Sequence, residues 1–145
     1  CRRIDCEGRT VVPGFNDSHM HLMQLAQTRY EAPISGVRSV DELIARCRRF
    51  LASHPERAAH GLHAIGWNQD DFTDGRLPDR HDLDRISTAV PVVLERVCGH
   101  IVSANTLAAQ RFAQSPAFRQ CPAGEVLRAA DGTLSGVFRG TPATL

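Results

Sequence analysis

The chain has 145 residues, of which 42% are apolar and 23% charged, and its 17 basic and 16 acidic side chains give a formal net charge of +1. That length suits one globular domain, falls well short of the roughly 250 residues of a closed (β/α)8 barrel, and with this composition excludes disorder as the main state. The charge balance leaves no basic footprint for nucleic acid or anionic lipid, and no apolar run nears the roughly 20 residues of a membrane span.

All 17 basic residues are arginine. Lysine chemistry, whether a Schiff base or a carboxylated-lysine metal bridge, is therefore excluded within these residues. The five cysteines, at 1, 6, 47, 98 and 121, are odd in number and show no CxxC spacing. They read as scattered structural thiols of a reduced, cytoplasmic compartment. Cys1-Arg2-Arg3-Ile4-Asp5 has no apolar stretch behind its arginines and is not expected to be a signal peptide. A start at Cys1 suggests a piece of something longer.

In chain order, Arg9 to Phe15 reads as a short strand ending at the Pro13-Gly14 turn. Phe15 to Leu22 alternates, with Asp17, His19 and His21 on one face and Ser18, Met20 and Leu22 on the other. Residues 39–53 carry the clearest helix pattern. Ser39 and Glu42 fit a capping box, and Val40, Leu43, Ile44, Cys47, Phe50 and Leu51 form one stripe. Arg46, Arg48 and Arg49 fall in the later turns, where positive charge suits the helix dipole, and His54-Pro55 stops the helix. A lone helix cannot bury such a stripe, so a sheet is expected beneath it.

Gly61 to Trp67 reads as a strand, residues 68–80 as a polar loop closed by Pro78, and Asp79 to Ile86 as a short helix. Pro91 to Val97 is nearly all apolar, as in a strand buried on both faces. Ser103 to Phe112 reads as a helix capped by Ser103, and Gly124 to Phe138 as a hairpin turning at Asp131-Gly132. Strands alternating with helices predict an α/β fold with a mostly parallel sheet.

The stretch that carries chemistry is Pro13-Gly14-Phe15-Asn16-Asp17-Ser18-His19-Met20-His21. Histidines at i and i+2 of a strand project from one face with Cβ atoms about 7 Å apart. Their nitrogens can then converge on one divalent ion at about 2.0–2.1 Å. Such an ion lowers the pKa of bound water to about 7 and polarises a carbonyl. The alternative is two histidines with ordinary surface or core partners.

Gly8 to His21 resembles the start of the barrel in the amidohydrolase superfamily. Gly66-Trp67-Asn68, Pro78, Leu83-Asp84, Pro91-Val92-Val93-Leu94, Gly99-His100, Asn105 and Ala108 then follow in order. As a set they resemble the amidohydrolase 3 branch, which includes N-substituted formamide deformylases and exoenzyme-regulatory proteins. The likeness runs from about Asp5 to Phe138. It implies the N-terminal portion of a distorted metal-dependent (β/α)8 TIM barrel. Residues 1–12 would be a remnant of a small β-sandwich and residues 13–145 an incomplete barrel.

The resemblance also implies zinc or a related divalent ion held by His19 and His21. The remaining ligands and the general-base Asp would lie beyond the chain end, and the chain would be roughly a quarter to a third of the enzyme. The reaction implied is hydrolysis of a non-peptide carbon–nitrogen bond in a small amide or formamide. The fragment alone is expected to be inactive, and a homo-oligomer of the full-length protein is left open. The competing readings are a non-catalytic truncated remnant and a small self-sufficient α/β binding domain.

Two departures from the branch stand out. Its strand after the hairpin reads Gly-Val-Leu-x-Glu, the Glu implied as a metal-bridging carboxylate; here Gly136-Val137-Phe138-Arg139-Gly140 places glycine there, with Pro142 beyond. Its Asp-Gly-His is here Cys98-Gly99-His100.

Other candidates carry paired readings. Asp17 orients an imidazole or stabilises a turn. Trp67 lines a substrate pocket or packs in the core. His100 contacts substrate, supports the metal, or caps and packs. Glu95 and Arg96 are expected to pair with each other. Asp70, Asp71 and Asp74 lack the spacing of a calcium loop and read as a solvated acidic loop. His54, His60, His63 and His81 read as surface or packing residues.

Overall fold

The computed structural model describes residues 3–143, apart from the side chains of Gln24 and Thr141. Cys1 therefore lies outside the described residues.

The expected helix forms at α2 (Val40–Ser53), after a short α1 (Leu22–Thr28). The Glu42 N–H donates to Ser39 Oγ at 3.1 Å, while the Glu42 carboxylate accepts from the Arg38 N–H at 2.9 Å, one residue ahead of the expected box partner. That N–H first and the Arg46 guanidinium second hold the Glu42 carboxyl below the usual range. No basic residue lies in the last turn. Arg46 instead reaches back to the Pro33 and Ser35 carbonyls at 3.0 and 3.1 Å, so it ties the helix to the loop before it. Pro55 opens the one-turn α3 (Pro55–Ala58).

The stripe of α2 packs on a five-stranded sheet. Its strands are β1 (Leu62–Trp67), β2 (Val92–Arg96), β3 (Ile101–Ala104), β4 (Val126–Arg128) and β5 (Leu134–Arg139). Their spatial order is β1-β2-β3-β5-β4. Only β1 and β2 run parallel; the β2–β3, β3–β5 and β5–β4 pairs are antiparallel. The expectation of a mostly parallel sheet is corrected. The turn at Val97–His100 is too short for a crossover, so β3 folds straight back on β2.

Ser103 is likewise not a helix cap. It lies fully buried in β3, its hydroxyl donating to the Pro78 carbonyl at 2.7 Å. The cap of α5 (Thr106–Gln114) is Asn105. Asp79 caps α4 (Arg80–Asp84) in a reciprocal box with Asp82, and Asp84 accepts from the Thr106 N–H and hydroxyl, joining α4 to the start of α5.

Two cores lie on opposite faces of the sheet. Leu62, Ala64, Val92 and Leu94 meet α2 and Leu83 of α4, while Val93, Ala104 and Phe138 meet α5. Alternation in β1 breaks at Gly66, where the register with β2 shifts. Gly66 has φ +126°, and a Cβ there would strike Ser35 Oγ. The bulge turns Trp67 onto the face of Leu62 and Ala64, where it is completely buried.

The two strands expected between Arg9 and Leu22 do not form. The backbone runs irregularly to His21, and Val11, Val12, Phe15 and Met20 stay exposed. A strand needs a neighbour for its ladder, and among the described residues no strand pairs with this segment. No helix among the described residues is long and apolar enough to cross a membrane.

Candidate metal and strand-end site

His19 and His21 end the irregular segment, and His21 is the N-cap residue of α1. Both are exposed. Their ring centroids stand 5.5 Å apart, with the planes at 83°. Two imidazoles on one tetrahedral zinc, each nitrogen at about 2.1 Å, place their centroids about 5 Å apart. The centroid spacing is close to that value although the segment is not a strand. Asp17 accepts from the His19 backbone N–H at 3.2 Å, a turn contact with the main chain. Among the described residues, no group of three or more His, Cys, Asp or Glu is placed to hold a metal.

A second set of polar groups gathers at the carboxyl ends of the parallel strands. Arg96 donates to Gln69 at 2.6 Å, Asn68 at 2.7 Å and Asp70 at 2.8 Å. It thus binds the loop after β1, and Glu95 is not its partner, contrary to expectation. Asp70 is anchored by this contact, yet it stays exposed like Asp71 and Asp74, in keeping with the expected solvated loop. Neighbouring residues of a strand point to opposite faces, which is why Glu95 and Arg96 part.

Cys98 is exposed in the turn between β2 and β3. Partial burial pushes its thiol up, but hydrogen bonds from Arg96 and from His100 outweigh that and hold it below the ordinary thiol range. Cys98 in turn raises Arg96. His100 is exposed, and its carbonyl accepts from the Gly140 N–H at 2.9 Å. Trp67 is fully buried, its indole donating to the Leu94 carbonyl at 3.0 Å, and takes the packing role in this structure.

Glycine at 140 has a local reason. Its φ is +60°, and a Cβ there would come within 2.6 Å of Glu125 Oε1, so the Glu125 carboxylate fills the space of a side chain. Pro142 lies in a single 3-10 turn, Thr141–Ala143.

One cluster escapes the sequence. His63 Nδ1 lies 2.9 Å from Glu31 Oε1, and His63 Nε2 lies 3.6 Å from Glu95 Oε2. His63 was expected to be an ordinary surface or packing residue. Alternation in β1 does place it opposite Leu62 and Ala64, but Glu31 is remote in the chain and nothing local announces it.

A model of the amidohydrolase family matches residues 2–145. The chain is 28% identical to the Bacillus subtilis protein YtcJ over 135 residues, 93% of this chain and 25% of that protein. It is 27% identical to an N-substituted formamide deformylase of Arthrobacter pascens over 107 residues, 72% of this chain and 19% of that one. Among solved structures it is similar to an uncharacterized metal-dependent hydrolase from Pyrococcus furiosus. The TM-score there is 0.57 at 28% identity, covering 91% of this chain and 24% of that one. The chain thus spans a quarter or less of the length of each.

Proposed function

The chain belongs to the amidohydrolase family, and from that premise we propose that it is the opening section of a metal-dependent hydrolase of non-peptide carbon–nitrogen bonds, in small amides or formamides. The observation that carries this reading is the His19–His21 pair, two exposed imidazoles with a centroid spacing close to that of a pair on one tetrahedral ion. The similarity to a formamide deformylase supports the bond type, and that to a metal-dependent hydrolase supports the ion.

On this reading the architecture is the first part of a distorted (β/α)8 barrel. Residues 1–12 belong to a flanking β-sandwich and residues 13–145 to the barrel. The parallel β1–β2 pair covered by α2 supports it, because barrels place their sites at the carboxyl ends of such strands. Zinc is the expected ion and the cytoplasm the expected location. The ion supplies an acidified water and a polarised carbonyl. His19 and His21 hold it, and Asp17 fixes the turn that presents His19. His100, in the turn after β2, contacts substrate or supports the metal on this reading. The general base lies outside these residues.

Zinc titration followed through the imidazole NMR signals tests the ligands. Zinc should shift His19 and His21 together, and His19→Ala should abolish the response of His21. Shifts confined to other histidines would overturn the assignment. The purified chain should not hydrolyse N-formyl or N-acyl amines. Turnover by it at a rate abolished by a chelator would overturn the claim that it carries only part of the site.

A further inference from the structure

A cavity of about 330 Å³ opens on the sheet face that carries α5. Its walls are apolar, chiefly Val93, Val102, Ala108, Phe112 and Phe138, and its polar lining residues are His63 and Glu95. Pockets of this size with apolar walls and a few convergent polar groups suit small organic ligands.

The chemistry of the ligand follows from the proton count. Glu31 Oε1 sits 2.9 Å from His63 Nδ1, so Nδ1 carries the hydrogen. In the neutral ring Nε2 is then a bare acceptor. It faces Glu95 Oε2 across 3.6 Å, beyond hydrogen-bond reach. While the ring is neutral, two acceptors thus face each other with no donor between them. A third acceptor, Glu31 Oε2, is buried with no partner among the described residues. Two carboxylates stand against a single imidazole.

We propose that this cavity binds a small organic ammonium ion whose N–H groups bridge Glu95 and His63 while its hydrocarbon body lies against the wall formed by Val93, Val102, Phe112 and Phe138. Glu31 positions the imidazole through Nδ1. An ammonium carries the donors that Nε2 and Oε2 lack and compensates the surplus negative charge. A neutral ligand of the same shape fills the walls but leaves the charge unpaired. The site shares no residue with the His19–His21 pair, so it stands or falls independently of the hydrolase reading.

The probe is benzylammonium, with benzyl alcohol as the neutral isostere. Binding is followed by calorimetry and by NMR on chelator-treated protein. The ammonium should bind saturably and about tenfold more tightly than the alcohol, and Glu95→Gln should remove about that factor. Ala108→Leu, which fills the cavity, should abolish binding of both. His63→Leu, at a residue 54% exposed in its side chain, gives a second test should Glu95→Gln fail to fold. A His19→Ala, His21→Ala double variant should bind unchanged. Equal affinity for alcohol and ammonium would overturn the proposal. So would an unaltered affinity in a folded Glu95→Gln or His63→Leu protein. Absence of saturable ammonium binding would overturn it as well, and would mean that a doubly protonated His63 already satisfies both carboxylates.

Discussion

Replacing Asn105 with alanine should be among the most damaging single changes to this fold. The residue is completely buried between β3 and α5. Its Oδ1 accepts from the Val92 N–H at 3.1 Å and the Ala108 N–H at 2.9 Å. Its Nδ2 donates to the Ser87 carbonyl at 2.7 Å and the Val90 carbonyl at 2.9 Å. One amide therefore starts β2, fixes the loop before it and caps α5. Alanine leaves two donors and two acceptors unmet where water has poor access. At about 1 kcal/mol for each group, the loss is about 3–5 kcal/mol, a large part of the roughly 5–15 kcal/mol of a typical domain. Trp67, the single tryptophan, is buried beside Leu94 and reports unfolding through its emission. With a urea slope of about 1.5–2 kcal/mol/M, the midpoint should drop by about 2 M. Asn105→Asp keeps the acceptor contacts but turns a carboxylate toward two carbonyls, and it should fare no better. Ser103→Ala, which removes one buried hydrogen bond, should cost about 1 kcal/mol. A loss below about 1 kcal/mol in Asn105→Ala would refute the assignment of Asn105 as the shared tie.

The pair of Arg76 and Asp82 should show in acid. Burial pushes the Asp82 carboxyl up, but the Arg76 fork and the Asp79 N–H outweigh it and hold it below the usual range. A carboxyl lowered in the folded state stabilises above its unfolded value, about 3.9, and that contribution fades as pH falls through the folded value. The stability difference between wild type and Asp82→Asn should thus be flat near neutrality, about 1–2 kcal/mol because Arg76 is 46% exposed in its side chain, and shrink toward pH 3; parallel curves would contradict it. Burial pushes the Cys47 thiol up to about 12, so a disulfide reagent should spare it until the chain unfolds, whereas Cys98 should react first. A fast phase that survives Cys98→Ser would show the assignment wrong. Gly66→Val should destabilise by about 2–4 kcal/mol, since it strains a positive φ and drives a side chain at Ser35. Unchanged near-ultraviolet dichroism of Trp67 in that variant would count against the bulge as its cause.

The parts readable from sequence are those whose causes are local. The helix Val40–Ser53 was marked by Ser39 and by its stripe, and the β4–β5 turn by Asp131-Gly132, where Asp131 accepts from the Thr133 N–H at 2.9 Å. The β2 run was legible because both its faces are covered. The failures share a different cause. Ser103 and Asn105 are both cap-type residues, and nothing local separates them. What decides is that Ile101–Ala104 pairs with β2 on one side and β5 on the other, which leaves Asn105 as the first residue free to cap. The alternation from Asp17 to His21 is present in the sequence, but a pattern makes a strand only beside a neighbour, and the expected strand does not form.

The same division explains which part of the candidate site was visible. The distance between His19 and His21 is a short-range property of a His-x-His segment, and it survives the absence of a strand: the rings still stand 5.5 Å apart. The other polar groups are assembled by the sheet. Parallel pairing of β1 with β2 aligns Trp67 with Arg96, and this register brings the loop after β1 within reach of the guanidinium that holds Asn68, Gln69 and Asp70. The bulge at Gly66 then decides which side chain leaves the face of His63 and Glu95, sending Trp67 into the core. Without that one-residue shift the indole would share a face with His63 and Ile65 and crowd the acceptors there. Glycine at 66 therefore does for the strand-end cluster what residue spacing does for the histidine pair: it sets which chemistry faces outward.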